Sequence, residues 1–391
     1  MIPKWPANLS VEKFLSDFWQ KQPCLLRGAI DLSEDIITPD ELAGMACEEG
    51  IESRLIIGTA DNSHWSVEHG PLNEERFGSL PDQYWTILVQ DVDKYLPKAA
   101  ALVDQFRFLP SWRIDDLMIS YAEDQGSVGP HTDSYDVFLI QLQGKRLWKI
   151  SDKIYTDDDL IADSEIRVLD NFEQSEEWLL KPGDILYLPP HIAHWGIAQG
   201  PCMTGSVGFI SPNQEQLFNA WADFTADKLV DPGLYHDPGI TLTEHPAEID
   251  DDAIKRVSEL LKQAIDTSPD HLRQMLGELV SQTKPSLLDT IQVPEHEITV
   301  DELLSRVKTT AYFPHPGLRI YYSLTDNKNK VLVFYNGEST EMTVELLPFI
   351  QILCEKKHFN AGTFNPWSDT PESIELLVNL INQGYLLEDA G

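Results

Sequence analysis

The chain has 391 residues, 42% of them hydrophobic and 9% aromatic, enough to bury more than one core, and its length sets an expectation of roughly two or three domains. Its formal charge of −35 argues against binding nucleic acid, where Lys and Arg must neutralise phosphates, and favours a cationic partner. Cys24, Cys47, Cys202 and Cys354 lie far apart with no CxxC pair, so neither a zinc–thiolate site nor a disulfide framework is expected, and any metal must be held by His and carboxylate. The opening MIPKWPANLS lacks a secretory signal pattern, and no apolar run reaches the roughly 18 residues needed to span a bilayer, so a cytoplasmic protein is expected.

Taken in chain order, SVEKFLSDFWQ at 10–20 reads as a helix capped by Ser10, with Phe14, Leu15 and Phe18 at helical spacing, and it leads to an apolar segment at 24–26. Between about 51 and 211 the pattern changes to short β-rich runs separated by Gly, Pro and Asp clusters: SRLIIGT, YWTILVQDV, IDDLMISYA, YDVFLIQLQ, KRLWKIS, GDILYLPP and MTGSVGFIS. So many short strands without long helices between them predict a sandwich, barrel or jelly roll. Residues 213–283 read as helical. Ile254, Val257, Leu261, Ala264 and Ile265 form one stripe, and Leu272, Met275, Leu276, Leu279 and Val280 another, opened by Ser268 and Pro269. Such stripes need a partner surface, either the barrel or a second subunit. From about 295 onward, helices and the strand runs LRIYYSL and KVLVFYNG predict a winged-helix-like module. Its seven Lys or Arg against fourteen Asp or Glu from residue 291 make DNA an unsuitable ligand.

The stretch GPHTDSYDVF at 129–138 places His131 and Asp133 two residues apart at the mouth of an apolar strand. Alternation along a strand would turn His131, Asp133 and Tyr135 to one side. An isolated HxD is usually a cap and a turn. A second element raises its significance: GDILYLPPHIAHWG, with spacing G-x5-P-x4-H, is the second cupin motif and delivers His194 opposite the first pair. Two His and one carboxylate leave metal positions open, the arrangement suited to non-haem Fe(II) and O2 chemistry. His191 competes with His194 as third ligand; motif spacing favours His194 and leaves His191 at the rim.

An iron oxygenase of this kind needs a reducing cosubstrate, normally 2-oxoglutarate, whose far carboxylate calls for an Arg and a hydroxyl. In KRLWKI, alternation puts Arg146 on the side of Trp148 and Ile150, which makes Arg146 the buried cation. The same alternation in DLMIS places Asp116, Met118 and Ser120 together. Ser120 is a candidate hydroxyl, although an ordinary strand serine accounts for it more simply, and Asp116 supplies a carboxylate nearer the mouth.

The runs RIDDLMIS, GxVGPHxDxYDVF, GxRxW, PGDILYxPPxxxH and SVGF, together with TPDELAGMA at 38–46 and NQGY at 382–385, resemble the bacterial JmjC-type ribosomal oxygenases, arginine hydroxylases that act on a large-subunit ribosomal protein. The resemblance implies an α+β protein with a double-stranded β-helix (cupin/JmjC jelly-roll) core at 1–212, a helical dimerisation region at 213–290 and a winged-helix-like domain at 291–391. It further implies Fe(II) on His131, Asp133 and His194, 2-oxoglutarate on Ser120 and Arg146, and a target arginine held by Asp116 and Tyr135. The partners it implies are a basic ribosomal protein and a second copy of the chain. At His191 the chain departs from the pattern, since many members carry glycine there. The same iron site also serves hydroxylases of other residues, such as histidine, and demethylases. A cupin dioxygenase without 2-oxoglutarate and a non-catalytic metal-binding cupin are further alternatives.

Overall fold

The structure, a computed structural model, describes residues 3–389 apart from 8, 61–63, 163 and 243. The chain packs as two units, one running to Ser211 and including Lys284–Thr290, the other comprising Pro212–Thr283 and the chain from Ile291 onward.

The first unit contains β1 (Cys24–Leu26), β2 (Ser53–Gly58), β3 (Trp65–His69), β4 (Trp85–Val89), β5 (Ile114–Ala122), β6 (Val137–Gln143), β7 (Arg146–Ser151), β8 (Glu176–Leu180), β9 (Ile185–Leu188), β10 (Ala193–Ala198) and β11 (Cys202–Phe209). One antiparallel sheet runs β1-β9-β6-β11-β5-β4-β2-β3 and a second runs β10-β7-β8. The sequence of β6, VFLIQLQ, explains how the sheets are layered. Val137 and Leu139 point into a core shared with Trp148, Ile150 and Leu180 of the second sheet, as expected of a jelly roll. Phe138, Ile140 and Leu142 point to the opposite side, into a larger core with Phe14, Leu42 and Tyr187. That outer core is closed by α1 (Val11–Asp17), capped by Ser10, and by α2 (Pro39–Cys47), whose Thr38 and Glu41 form a capping box. Phe14, Phe138 and Tyr187 are wholly buried and each contributes about 1.5–3 kcal/mol through removal from water.

The runs singled out in the sequence between 51 and 211 all fold as strands. Three further strands, β3, β8 and β10, had no comparable signal. The segment carrying His131 and Asp133 is not a strand: β6 starts only at Val137, and His131 makes an isolated bridge before the backbone bends.

The second unit contains α3 (Gln214–Lys228), α4 (Asp251–Ala264), α5 (Pro269–Ser281), α6 (Val300–Arg306), α7 (Leu347–Glu355) and α8 (Pro371–Asn382). A sheet of β13 (Ile320–Leu324), β14 (Lys330–Tyr335) and β15 (Glu338–Thr343) and a pair of β12 (Tyr312–Pro314) with β16 (Leu386–Glu388) complete it. Leu303, Val333, Phe349 and Leu377 meet in its core. Pro269 opens α5, while Ser268 makes no side-chain cap. Gly277 of α5 has no room for a β-carbon, which would come within 2.5 Å of the Phe334 ring.

Candidate functional site

A loop and the start of β10 bring the metal-competent side chains together. His131 and His194 exchange backbone hydrogen bonds of 3.0 and 2.9 Å, and the His191 amide donates to the Asp133 carbonyl at 2.7 Å. These bonds, rather than strand alternation, fix the register between the HxD segment and the start of β10. Gly129, at φ +79°, allows the chain to turn into this bridge; a β-carbon there would lie 2.8 Å from the Val168 methyls. His191 also has a left-handed backbone, φ +65°, which explains why glycine suits this position. Its side chain is exposed, whereas His194 is 2% exposed.

Ligand atoms of His131, Asp133 and His194 all lie within 4.8 Å of one another. An Asp133 Oδ2 sits 3.6 Å from His194 Nε2 and 4.0 Å from His131 Nε2. Each imidazole Nδ1 is 2.9 Å from a backbone carbonyl, Gly129 for His131 and Ile192 for His194. A carbonyl accepts only, so both Nδ1 atoms carry the proton and both Nε2 lone pairs are free to ligate. Burial, and then the neighbouring His131, lower the His194 pKa to about 4 against the opposing influence of Asp133, which keeps the ring neutral at physiological pH. Two imidazoles and one carboxylate are the donor set of a non-haem Fe(II) site.

These ligands line a cavity of about 820 Å³, shared by Arg146, Ser120, Asp116 and Tyr135. The alternation read from the sequence places Arg146, Trp148 and Ile150 inward, each 3–4% exposed. Gly144, at φ +64°, turns the chain from β6 into β7 to deliver Arg146. Arg146 lies 5.8 Å from the Trp148 ring centroid, and its Nε and Nη2 find no hydrogen-bond partner among the described residues. A guanidinium buried without an anion is costly, so the site fits an anionic ligand. Ser120, also buried, donates to the Thr204 carbonyl at 3.4 Å.

Asp116 is 7% exposed and receives the Asp91 amide on Oδ2 at 3.1 Å. Burial raises its pKa to about 6, with Asp115 and Asp91 pushing the same way and Lys284 opposing them. Its other oxygen faces Gly208: a β-carbon there would sit 3.6 Å from Oδ1 and 4.0 Å from the Tyr135 ring. Gly208 thus leaves open a slot between a carboxylate and the Tyr135 ring. Burial, then the Asp133 and Asp116 carboxylates, hold the Tyr135 phenol well above its ordinary range and keep it protonated.

Sequence reasoning missed Lys284 and Asp91. The Lys284 ammonium lies 2.8 Å from Asp91 Oδ1, 3.1 Å from Asp115 Oδ1 and 3.8 Å from Asp116 Oδ2. Nothing in QTKPSLL marks that lysine, because its partners lie more than 160 residues away. Asp91 carries a left-handed φ of +55°, a conformation Asp tolerates better than most residues.

Comparison with known proteins adds to this geometry. Residues 101–217 match the JmjC domain family and residues 259–387 the ROXA-like winged helix. The chain is 34% identical over 383 residues, 98% of each chain, to the ribosomal protein uL16 3-hydroxylase of Escherichia coli strain K12. The X-ray structure of E. coli ycfD superposes with a TM-score of 0.85 at 33% identity, covering 100% of both chains. The structure of that ribosomal oxygenase in complex with cobalt and 2-oxoglutarate gives 0.82 at 33% identity, covering 99% of this chain and 100% of the other.

Proposed function

The chain belongs to the family of the E. coli ribosomal protein uL16 3-hydroxylase, a JmjC cupin fold with a ROXA-like winged helix, and on that premise we propose that it is an Fe(II)- and 2-oxoglutarate-dependent oxygenase hydroxylating the β-carbon of an arginine in a large-subunit ribosomal protein. The observation that carries this is Arg146, a buried cation whose Nε and Nη2 lack partners, in the same cavity as a His-Asp-His cluster. The first calls for an anion and the second for a metal, and a keto acid is both anion and chelator.

His131, Asp133 and His194 hold the iron, which when bound couples O2 reduction to the oxidative decarboxylation of 2-oxoglutarate, yielding succinate, CO2 and a hydroxylated substrate. Arg146 and Ser120 take the far carboxylate of the cosubstrate, the guanidinium by two parallel N–H donors and the serine by its hydroxyl. Asp116 and the Tyr135 ring hold the target guanidinium in the slot beside Gly208, through a charge-assisted hydrogen bond on one side and a cation–π contact on the other. Holding the guanidinium from two sides restricts which carbon of the side chain lies nearest the metal. The helical stripe of α4, with Ile254 57%, Leu261 60% and Ile265 54% exposed, is the surface for a second copy of the chain.

Anaerobic incubation with Fe(II), 2-oxoglutarate and a basic large-subunit ribosomal protein, followed by O2, is expected to add one oxygen to an arginine and release succinate. Succinate release with the oxygen on histidine would redirect the assignment to another hydroxylase of this type. Neither product appearing would overturn it.

A further inference from the structure

The geometry assigns to Lys284 a role in substrate recognition: we infer that it is a positioning residue, supporting Asp116 from the side away from the slot so that its outward oxygen stays charged for a cationic side chain. This rests on the proposed role of Asp116 in holding the target guanidinium.

The two oxygens of Asp116 are used differently. Oδ2 receives the Asp91 amide at 3.1 Å and stands 3.8 Å from the Lys284 ammonium. Oδ1 faces the gap at Gly208 and the Tyr135 ring. Lys284 therefore leaves the slot to the ligand and does not plug it.

The ammonium is itself firmly placed. It donates to Asp91 Oδ1 at 2.8 Å and lies 3.1 Å from Asp115 Oδ1, and it is part of Lys284–Thr290, which packs with the catalytic unit. Burial works against its charge, but Asp116, Asp115 and Asp91 together outweigh this and hold its pKa above the ordinary lysine range.

The groups facing Asp116 are Lys284, Asp115, Asp91 and the Tyr135 phenol, with Glu52 and Arg54 lining the same cavity. Among these, Lys284 is the cation bearing on the Asp116 carboxyl; burial and the Asp115 and Asp91 carboxylates oppose its ionisation, while the Asp91 amide favours it. Three carboxylates against one ammonium also leave the cluster anionic, with capacity for a second cation. With the Asp116 pKa near 6, the ionised form prevails above that pH and cation binding is lost as pH falls through it. Removing Lys284 raises this threshold, and removing Asp115 lowers it.

The test is a carbon-13 carboxyl titration of Asp116 in the metal-free full chain, which needs no turnover. Lys284→Met is expected to move the midpoint up by about one pH unit or more, Lys284→Arg to restore it, and Asp115→Asn to move it down. Opposite shifts from two neighbours are not what a folding lesion produces. Binding of N-acetylarginine amide to the zinc- and 2-oxoglutarate-loaded chain is then followed against pH, and its acid limit is expected to shift with each midpoint. An Asp116 midpoint indifferent to Lys284→Met overturns the assignment, as does tighter binding of the amide by that variant at every pH, which would make Lys284 a competing plug. Midpoints that shift while binding ignores pH would instead remove Asp116 from substrate recognition, a failure of the functional reading and not of the Lys284–Asp116 coupling.

Discussion

At Arg146 the needs of folding and of function oppose each other. Arg146 is 3% exposed and two guanidinium nitrogens find no partner among the described residues, so the ligand-free protein carries a largely desolvated charge beside the Trp148 ring. Arg146→Met keeps the apolar stem and removes the charge. It is expected to stabilise the ligand-free chain by about 1–3 kcal/mol while weakening 2-oxoglutarate binding by about 1.5–3 kcal/mol, roughly ten- to a hundredfold. Thermal melts with and without 2-oxoglutarate check both signs, since the variant should melt higher alone and lose the ligand-induced rise. A variant that melts lower alone would mean that Arg146 is satisfied by the protein itself. This residue was legible in the sequence because its strand neighbours Trp148 and Ile150 show which face points inward. Lys284 and Asp91 were not, since no periodicity marks a lysine between a helix end and a proline, and its carboxylate partners are remote in sequence.

Among the elements, strands carrying a sustained apolar run were readable and those without one were not. β6 and β9 are buried along almost their whole length and announced themselves, whereas β8, EEWLL, opens on two exposed glutamates and offers an apolar run of only three residues. β10 was hidden by the Pro189–Pro190 break before it, so His194 was expected just past a strand and instead lies within one. The HxD pair converges through a bridge and a bend, geometry that a two-residue period cannot express. The stripe of α4 was fully legible, and in the structure Ile254, Val257, Leu261 and Ile265 remain 42–60% exposed. Four large apolar side chains on one helical face bury well only against another surface, and in the proposed dimer a second copy of the same stripe would supply one. Ile254→Glu with Leu261→Glu is expected to convert a dimer to a monomer in sedimentation equilibrium, with helix content in circular dichroism retained because both positions lie on the exposed face. A wild-type chain sedimenting as a monomer would remove the dimer assignment.

For the whole molecule the dominant fact is charge. A formal −35 on 391 residues produces a field that attracts a basic protein and repels RNA, before any contact forms. Among the described residues no helix is long and apolar enough to cross a membrane. Attraction of this kind acts on encounter and not on the chemical step, because the reacting groups lie in a cavity where His194 and Arg146 are almost fully buried. Raising the salt from about 20 mM to about 300 mM shortens the screening length from roughly 20 Å to below 10 Å. The expected result is a fall in kcat/KM for the ribosomal protein of about tenfold or more, with kcat nearly constant. The same field predicts that the free ribosomal protein is modified faster than the protein already assembled with RNA, since assembly replaces an attractive surface by a repulsive one. Mass spectrometry of both substrates over time measures the difference. Equal rates on the free protein and on intact large subunits, or a kcat/KM indifferent to salt, would show that the acidity has no part in choosing the substrate.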